Sequence, residues 1–174
     1  MNYTPEQIAS IVLKVLKEIE APDVSSLPYE QKIELLEDPN CPQETLELLA
    51  TDENSLVRQA VAQDPNTPQK TLELLATDKD YHVRVGVALN PNTPQETLEL
   101  LATDDYWVRV GVALNPNTPQ KTLELLATDK NSYVQREVAK NPNYKKKTLE
   151  MTSTQYEALK KLIESESLKG LMDT

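Results

Sequence analysis

The chain has 174 residues, 39% of them apolar, with a mean hydropathy of −0.54, a composition that fits a soluble globular protein and excludes a membrane span. Its net charge of −10 is uneven: residues 1–37 carry 3 basic and 7 acidic side chains, 38–139 carry 8 and 16, and 140–174 carry 7 and 5. An acidic middle argues against nucleic acid as a partner, because phosphates are neutralised by clustered Lys and Arg; a single cysteine, Cys41, and a single histidine, His82, exclude an internal disulfide and a zinc or iron–sulfur site, so no cofactor is expected.

Residues 1–37 read as N-terminal capping helices. Thr4, Pro5 and Gln7 make a helix start signal, and Ile8, Ile11, Val12, Val15, Leu16 and Ile19 follow at helical spacing. Lys14, Lys17 and Glu18 interrupt that stripe, and no signal-peptide pattern precedes it, so the cytoplasm is the expected compartment. Pro28 to Leu36 resembles the first helix of a repeat with no second helix after it.

Residues 38–141 contain four near-identical units, at 38–63, 64–89, 90–114 and 115–140, the third one residue shorter than the others. Each unit opens on a helix start: Thr67, Thr93 and Thr118 fit the N-cap and Pro68, Pro94 and Pro119 the first helical position, with Glu96 completing a capping box. Asp64, Asn90, Asn115 and Asn141 each precede a proline, which pushes them out of the α region and ends the previous helix. In the first helix of a unit, Thr45, Leu46, Leu48, Leu49 and Ala50 span an apolar arc of about 200°, twice the stripe of a one-sided helix, so the helix is expected to be sandwiched between neighbours. The second segment places Val57, Ala60 and Val61 inward, matched by Val83, Gly86, Val87 and by Val108, Gly111, Val112, and its length of about nine residues allows either α or 3₁₀. Gly86 and Gly111 each cost about 1 kcal/mol against alanine in a helix interior, which points to close approach of a neighbouring backbone. Residues 142–174 hold a decayed repeat, in which Tyr144 and Lys145 replace Thr and Pro, and a capping helix from about Thr154 with Tyr156, Leu159, Leu162 and Ile163 on its apolar side.

The order of the NPNTP start, the Leu-Leu-Ala run and the VR-x-x-VA segment resembles the leucine-rich repeat variant (LRV) family and, more distantly, the short HEAT-like repeats. The resemblance implies a right-handed α-solenoid in which α-helices alternate with 3₁₀-helices. Some members carry a cysteine-bound cluster at the N-terminus; residues 1–40 contain no cysteine, so that feature is not implied here.

On the second helices Tyr81, Val85, Tyr106 and Val110 vary while the core letters stay constant and fall on the outward side; with Trp107 and His82 they form the candidate partner-binding surface. A competing reading packs His82, Leu89, Trp107 and Leu114 against adjacent repeats. Arg58, Arg84 and Arg109 recur once per unit, as do Asp52, Asp78, Asp104 and Asp129, which favours carboxylate pairing over a phosphate-binding ladder. Lys140, Lys145, Lys146 and Lys147 form the one basic cluster. Cys41 occupies the capping position of its unit, where a helix N-terminus would lower a thiol pKa. No G-x-S-x-G, P-loop or H-E-x-x-H occurs, so a non-catalytic module binding a protein partner of unknown identity is expected, with no membrane. The alternatives are a nucleic-acid-binding solenoid using the basic cluster and recurrent arginines, and a homo-oligomeric structural protein, for which a homodimer would use the same Tyr/Val strip.

Overall fold

A computed structural model describes residue 4, residues 23–146 and residues 153–164. The expected helix over residues 8–19, Lys147 and most of the decayed repeat's helix lie outside the described residues. The chain divides into two units, residues 1–144 and 145–174. In the first unit a 3₁₀ turn, Val24–Ser26, leads to α1 (Tyr29–Glu37) and then to four helix pairs: α2 (Gln43–Leu49) with α3 (Ser55–Gln63), α4 (Gln69–Leu75) with α5 (Tyr81–Leu89), α6 (Gln95–Leu101) with α7 (Tyr106–Leu114), and α8 (Gln120–Leu126) with α9 (Ser132–Lys140). The second unit contains α10 (Ser153–Glu164), along which Tyr156, Leu159 and Leu162 are exposed. Among the described residues there is no strand, and the first unit is an all-α solenoid.

The long helices α3, α5, α7 and α9 stack directly on one another, and each short helix rests between the long helices of its own and the preceding pair. Leu46, Leu72, Leu98 and Leu123 are fully buried at the centre of this arrangement, together with Val57, Val83, Val108 and Val134. Each such leucine contributes about 2–3 kcal/mol of apolar burial. Stacking is close because the sixth position of α3, α5 and α7 is small, Ala60, Gly86 and Gly111: a Cβ on Gly86 would lie 3.0 Å from Ala62 Cβ, and one on Gly111 would lie 2.8 Å from Ala88 Cβ. Close approach is what the two glycines led us to expect.

Several local expectations are corrected. Both helices of every pair are α, so the 3₁₀ alternation implied by the resemblance is not adopted. Pro68, Pro94 and Pro119 are the N-cap residues, not the first helical ones, and no side chain caps those helices, so the expected capping box at Glu96 does not form. Thr67, Thr93 and Thr118 turn inward instead: buried, they donate their hydroxyls to the carbonyls of Val61 (2.5 Å), Val87 (2.6 Å) and Val112 (2.6 Å) at the end of the preceding helix. A carbonyl near a helix C-terminus has no partner within the helix, and the threonine supplies one. True side-chain caps occur on the long helices, where Asn54, Asp80 and Asn131 accept from the backbone N–H of Leu56, His82 and Tyr133. The segment from Pro28 to Leu36 is not a first helix: α1 stacks on α3 in the place of a long helix, and Lys32 takes the position that Arg58 holds in the next pair.

The Asn-Pro turns carry more than a stop signal. Asn90 Nδ2 donates to the carbonyls of Ala62 and Asp64, Asn115 to those of Ala88 and Asn90, and Asn141 to those of Ala113 and Asn115, all at 2.8–2.9 Å and all buried. Each amide thereby satisfies the carbonyl of its counterpart one repeat earlier and another at the end of the long helix before that counterpart, which buried backbone requires. A second, exposed rung runs beside it from Asn92, Asn117 and Asn143 to the carbonyls of Pro65, Pro91 and Pro116.

Candidate protein-binding surface

Each long helix buries its third and seventh residues, α3, α5 and α7 also their eighth, and each turns its second and ninth to solvent. The second position carries Leu56, His82, Trp107 and Tyr133 in successive repeats, and the ninth carries Leu89 and Leu114 in the middle two. Trp107 is 53% exposed, Leu89 43% and Leu114 44%. Leu89 Cγ would lie 3.6 Å from a Cβ on Gly111, so this leucine reaches across to the next helix and joins the two rows. Rings tie the surface together: Tyr106 lies 4.7 Å from Trp107 and meets Tyr133 edge-on at 6.3 Å, while the Arg136 guanidinium sits 4.4 Å over the Tyr133 ring. Such contacts hold aromatic side chains in place before a partner arrives.

The six expected surface residues divide. Trp107, His82 and Tyr81 are exposed, and Tyr81 and His82 stack at 3.9 Å. Val110 is buried at 6%, beyond the reach of a partner, and Val85 and Tyr106 are half-buried against the core. The outward side of the long helix therefore lies nearer the second and ninth residues than the first and fifth. Helical side chains lean toward the N-terminal turn, and with glycine and alanine at the seam the neighbouring helix comes close enough to cover the fifth position. The competing reading packs His82, Leu89, Trp107 and Leu114 against adjacent repeats; all four are exposed, although Leu89 also touches the next helix. The short helices also differ from expectation: Leu48, Leu74, Leu100 and Leu125, assigned to the sandwiched arc, are 44%, 54%, 57% and 54% exposed.

The arginines are engaged. Arg58 pairs with Asp78 through Nε (2.6 Å) and Nη2 (2.9 Å), Arg84 with Asp104 (2.7 and 2.8 Å), and Arg109 with Asp129 (2.6 and 3.1 Å), each reaching the following repeat; Lys32 and Asp52 pair at 2.5 Å in the same register. The remaining Nη1 of each arginine donates to a carbonyl in the turn before its own helix. Carboxylate pairing between repeats thus accounts for the recurrence, and it leaves the arginines no open fork for phosphate. Asp78 and Asp129 are held below the ordinary carboxylate range, chiefly by the hydrogen bonds from Arg58 and Arg109 and against the effect of burial. For Asp52 and Asp104 burial is the largest influence and acts upward, but the bonds from Lys32 or Arg84 and from a backbone N–H outweigh it, so these two are lowered as well.

The remaining candidates separate. Lys140 bonds both oxygens of the buried Glu137 at 2.9 Å, whereas Lys145 and Lys146 fall in the other unit. Burial first, then Asp64 and Asp38, raise the Cys41 thiol pKa, the reverse of the lowering expected at a helix start. Ser55 and His82 both bond to Asp80, whose pKa is lowered first by the Ser55 bond. The acid stands between hydroxyl and imidazole in this trio, so the imidazole is not placed as the base for the serine.

Three consecutive stretches, residues 56–80, 81–105 and 106–131, match a family model described as leucine rich repeat variant, each beginning at a long helix. No curated protein and no solved structure matches the chain.

Proposed function

We propose, from the match of residues 56–131 to the leucine rich repeat variant model and from the helical solenoid they form, that the chain is a non-catalytic protein-binding module. Its binding surface is the exposed rib of the long helices, centred on Trp107 between Leu89 and Leu114. The observation that carries this reading is the tryptophan: a large ring more than half exposed, backed by Tyr106 and flanked by two exposed leucines, is the arrangement of a binding hot spot rather than of a solvated helix face. Extended rows suit an extended partner that lays successive apolar side chains along several repeats.

Trp107 is the single tryptophan of the chain, so its emission reports on this surface directly. Affinity capture from cell extract, run in parallel with the wild-type chain and a Trp107→Ala, Leu114→Gln variant of matched circular dichroism, should retain proteins with the wild type that the variant releases. Titration of such a partner should shift the wild-type emission to the blue. Retention of the same proteins by both baits, or binding with no change in emission, overturns the assignment.

A further inference from the structure

The short helices carry a second apolar row, distinct from the rib of the long helices. Leu48, Leu74, Leu100 and Leu125 occupy one position in four successive helices, each about half exposed. The charges beside this row alternate with a period of two repeats. At the first turn of each short helix stand Glu44, Lys70, Glu96 and Lys121; after the last turn stand Glu53, Lys79 and Lys130, a position that the shorter third repeat lacks, its Asp105 being the N-cap of α7 and paired with Arg84 at 3.1 Å; all seven residues of the two rows are exposed. Glu53, Leu74 and Lys79 line a common shallow depression, which places the second set of charges alongside the leucines. Acid, base, acid, base is a self-complementary order when it is read against its own reverse.

We infer that this face is the seam of a homodimer whose two-fold axis runs parallel to the short helices and passes between α4 and α6. That operation reverses the order of repeats in the second copy, so Leu48 meets Leu125 and Leu74 meets Leu100 across the seam. The same operation sets Glu44 against Lys121 and Lys70 against Glu96, and at the other helix ends Glu53 against Lys130. The glutamates that precede the leucines, Glu47, Glu73, Glu99 and Glu124, fall on opposite sides of each leucine pair and avoid one another. A two-fold axis along the stacking direction would place every repeat on itself, acid on acid. A shift by one repeat also pairs unlike charges but leaves a repeat uncovered at each end and does not close. Four helices spaced about 8–10 Å apart, each presenting two turns of about 11 Å in all, offer on the order of 350–430 Å² per chain, less than a standard dimer interface, so the dimer is expected to be weak and to need a high protein concentration. The seam leaves the Trp107 rib open and stands independently of the partner proposed for it.

Sedimentation velocity on the full chain, over a concentration series up to about 200 μM, tests the seam. The wild type should dimerise, and Leu74→Gln, Leu100→Gln should raise the dissociation constant at least about tenfold. Because the alternating charges also attract their neighbours within one molecule, a second pair of variants isolates the contact between copies. Lys70→Glu, Lys121→Glu makes the first-turn row wholly acidic and Glu44→Lys, Glu96→Lys makes it wholly basic. Each should be monomeric alone, and an equimolar mixture should form a one-to-one heterodimer that dissociates as salt is added. A monomeric wild type, growth beyond a dimer, a dimer that survives in the leucine variant, or failure of the two charge variants to pair on mixing overturns the proposal.

Discussion

The buried amide of Asn115 shows how much one residue holds. It supplies hydrogen bonds to the carbonyls of Ala88, at the end of α5, and of Asn90, its counterpart one repeat earlier; truncation leaves the Ala88 carbonyl without a donor and the Asn117 N–H without its acceptor, while the Asn90 carbonyl keeps the Thr93 N–H. Asn115→Ala should therefore destabilise the solenoid by about 2–4 kcal/mol. The exposed Asn117, which bonds the carbonyl of Pro91, can hand its role to water, and Asn117→Ala should stay within about 1 kcal/mol. Urea unfolding midpoints of the two variants check this, and equal losses would contradict the role given to burial. The Asn-Pro pairs were legible in the sequence as helix stops, but not as a ladder. Periodicity tells which side of its own helix a residue occupies, whereas these amides are read out by carbonyls 25–28 residues earlier. Recurrence of Asn90, Asn115 and Asn141 was the available signal. It was absorbed by the proline that follows each.

Among the helices, the tight contact is between α5 and α7. Gly111→Ala would bring a Cβ to 2.8 Å from that of Ala88, against 3.0 Å to Ala62 for Gly86→Ala. Neither neighbour is the free end of a flexible side chain, so the helices must separate. Overpacking of about 1–3 kcal/mol should exceed the roughly 1 kcal/mol that alanine gains in helix propensity. Thermal unfolding is expected to fall by a few degrees for Gly111→Ala and by less for Gly86→Ala, and a rise in either would show that the seam is looser than drawn. The helices were readable because leucine and valine recur at helical spacing in every unit, and the glycines were readable as points of approach. What eluded sequence reasoning was which apolar positions remain outside. Leu48 and Leu46 look alike in a helical arc, yet Leu46 is fully buried and Leu48 is 44% exposed, because the long helices cover one side of each short helix and leave the other uncovered. Phase eluded it too: α1 was read as a first helix with no second helix after it, although Lys32 stands 20 residues before Asp52 as Arg58 does before Asp78.

Across the solenoid the four lowered aspartates of the ion pairs, Asp52, Asp78, Asp104 and Asp129, act together. A carboxylate whose pKa is depressed on folding contributes stability that is present above its unfolded value, near 4, and lost as pH falls through the folded value. Urea midpoints should be nearly level from about pH 7 to 5 and fall steeply below about pH 4. The fall should be shallower in Asp78→Asn, which removes one of the titrating groups while leaving a shape that Arg58 can still meet. A profile that declines no faster below pH 4 than Asp78→Asn would mean that the pairs add nothing to folding. These ion pairs and the asparagine ladder share a property with a hereditary consequence. Among the described residues the bonds of these two ladders recur at nearly the same offset, 20 residues for the ion pairs and 25–28 for the amides. Near-identical tandem units invite slipped copying of the gene, and gain or loss of one whole unit would preserve every type of bond while lengthening or shortening both apolar rows. Copy number is thus a dial that natural variation can turn without having to invent a new contact.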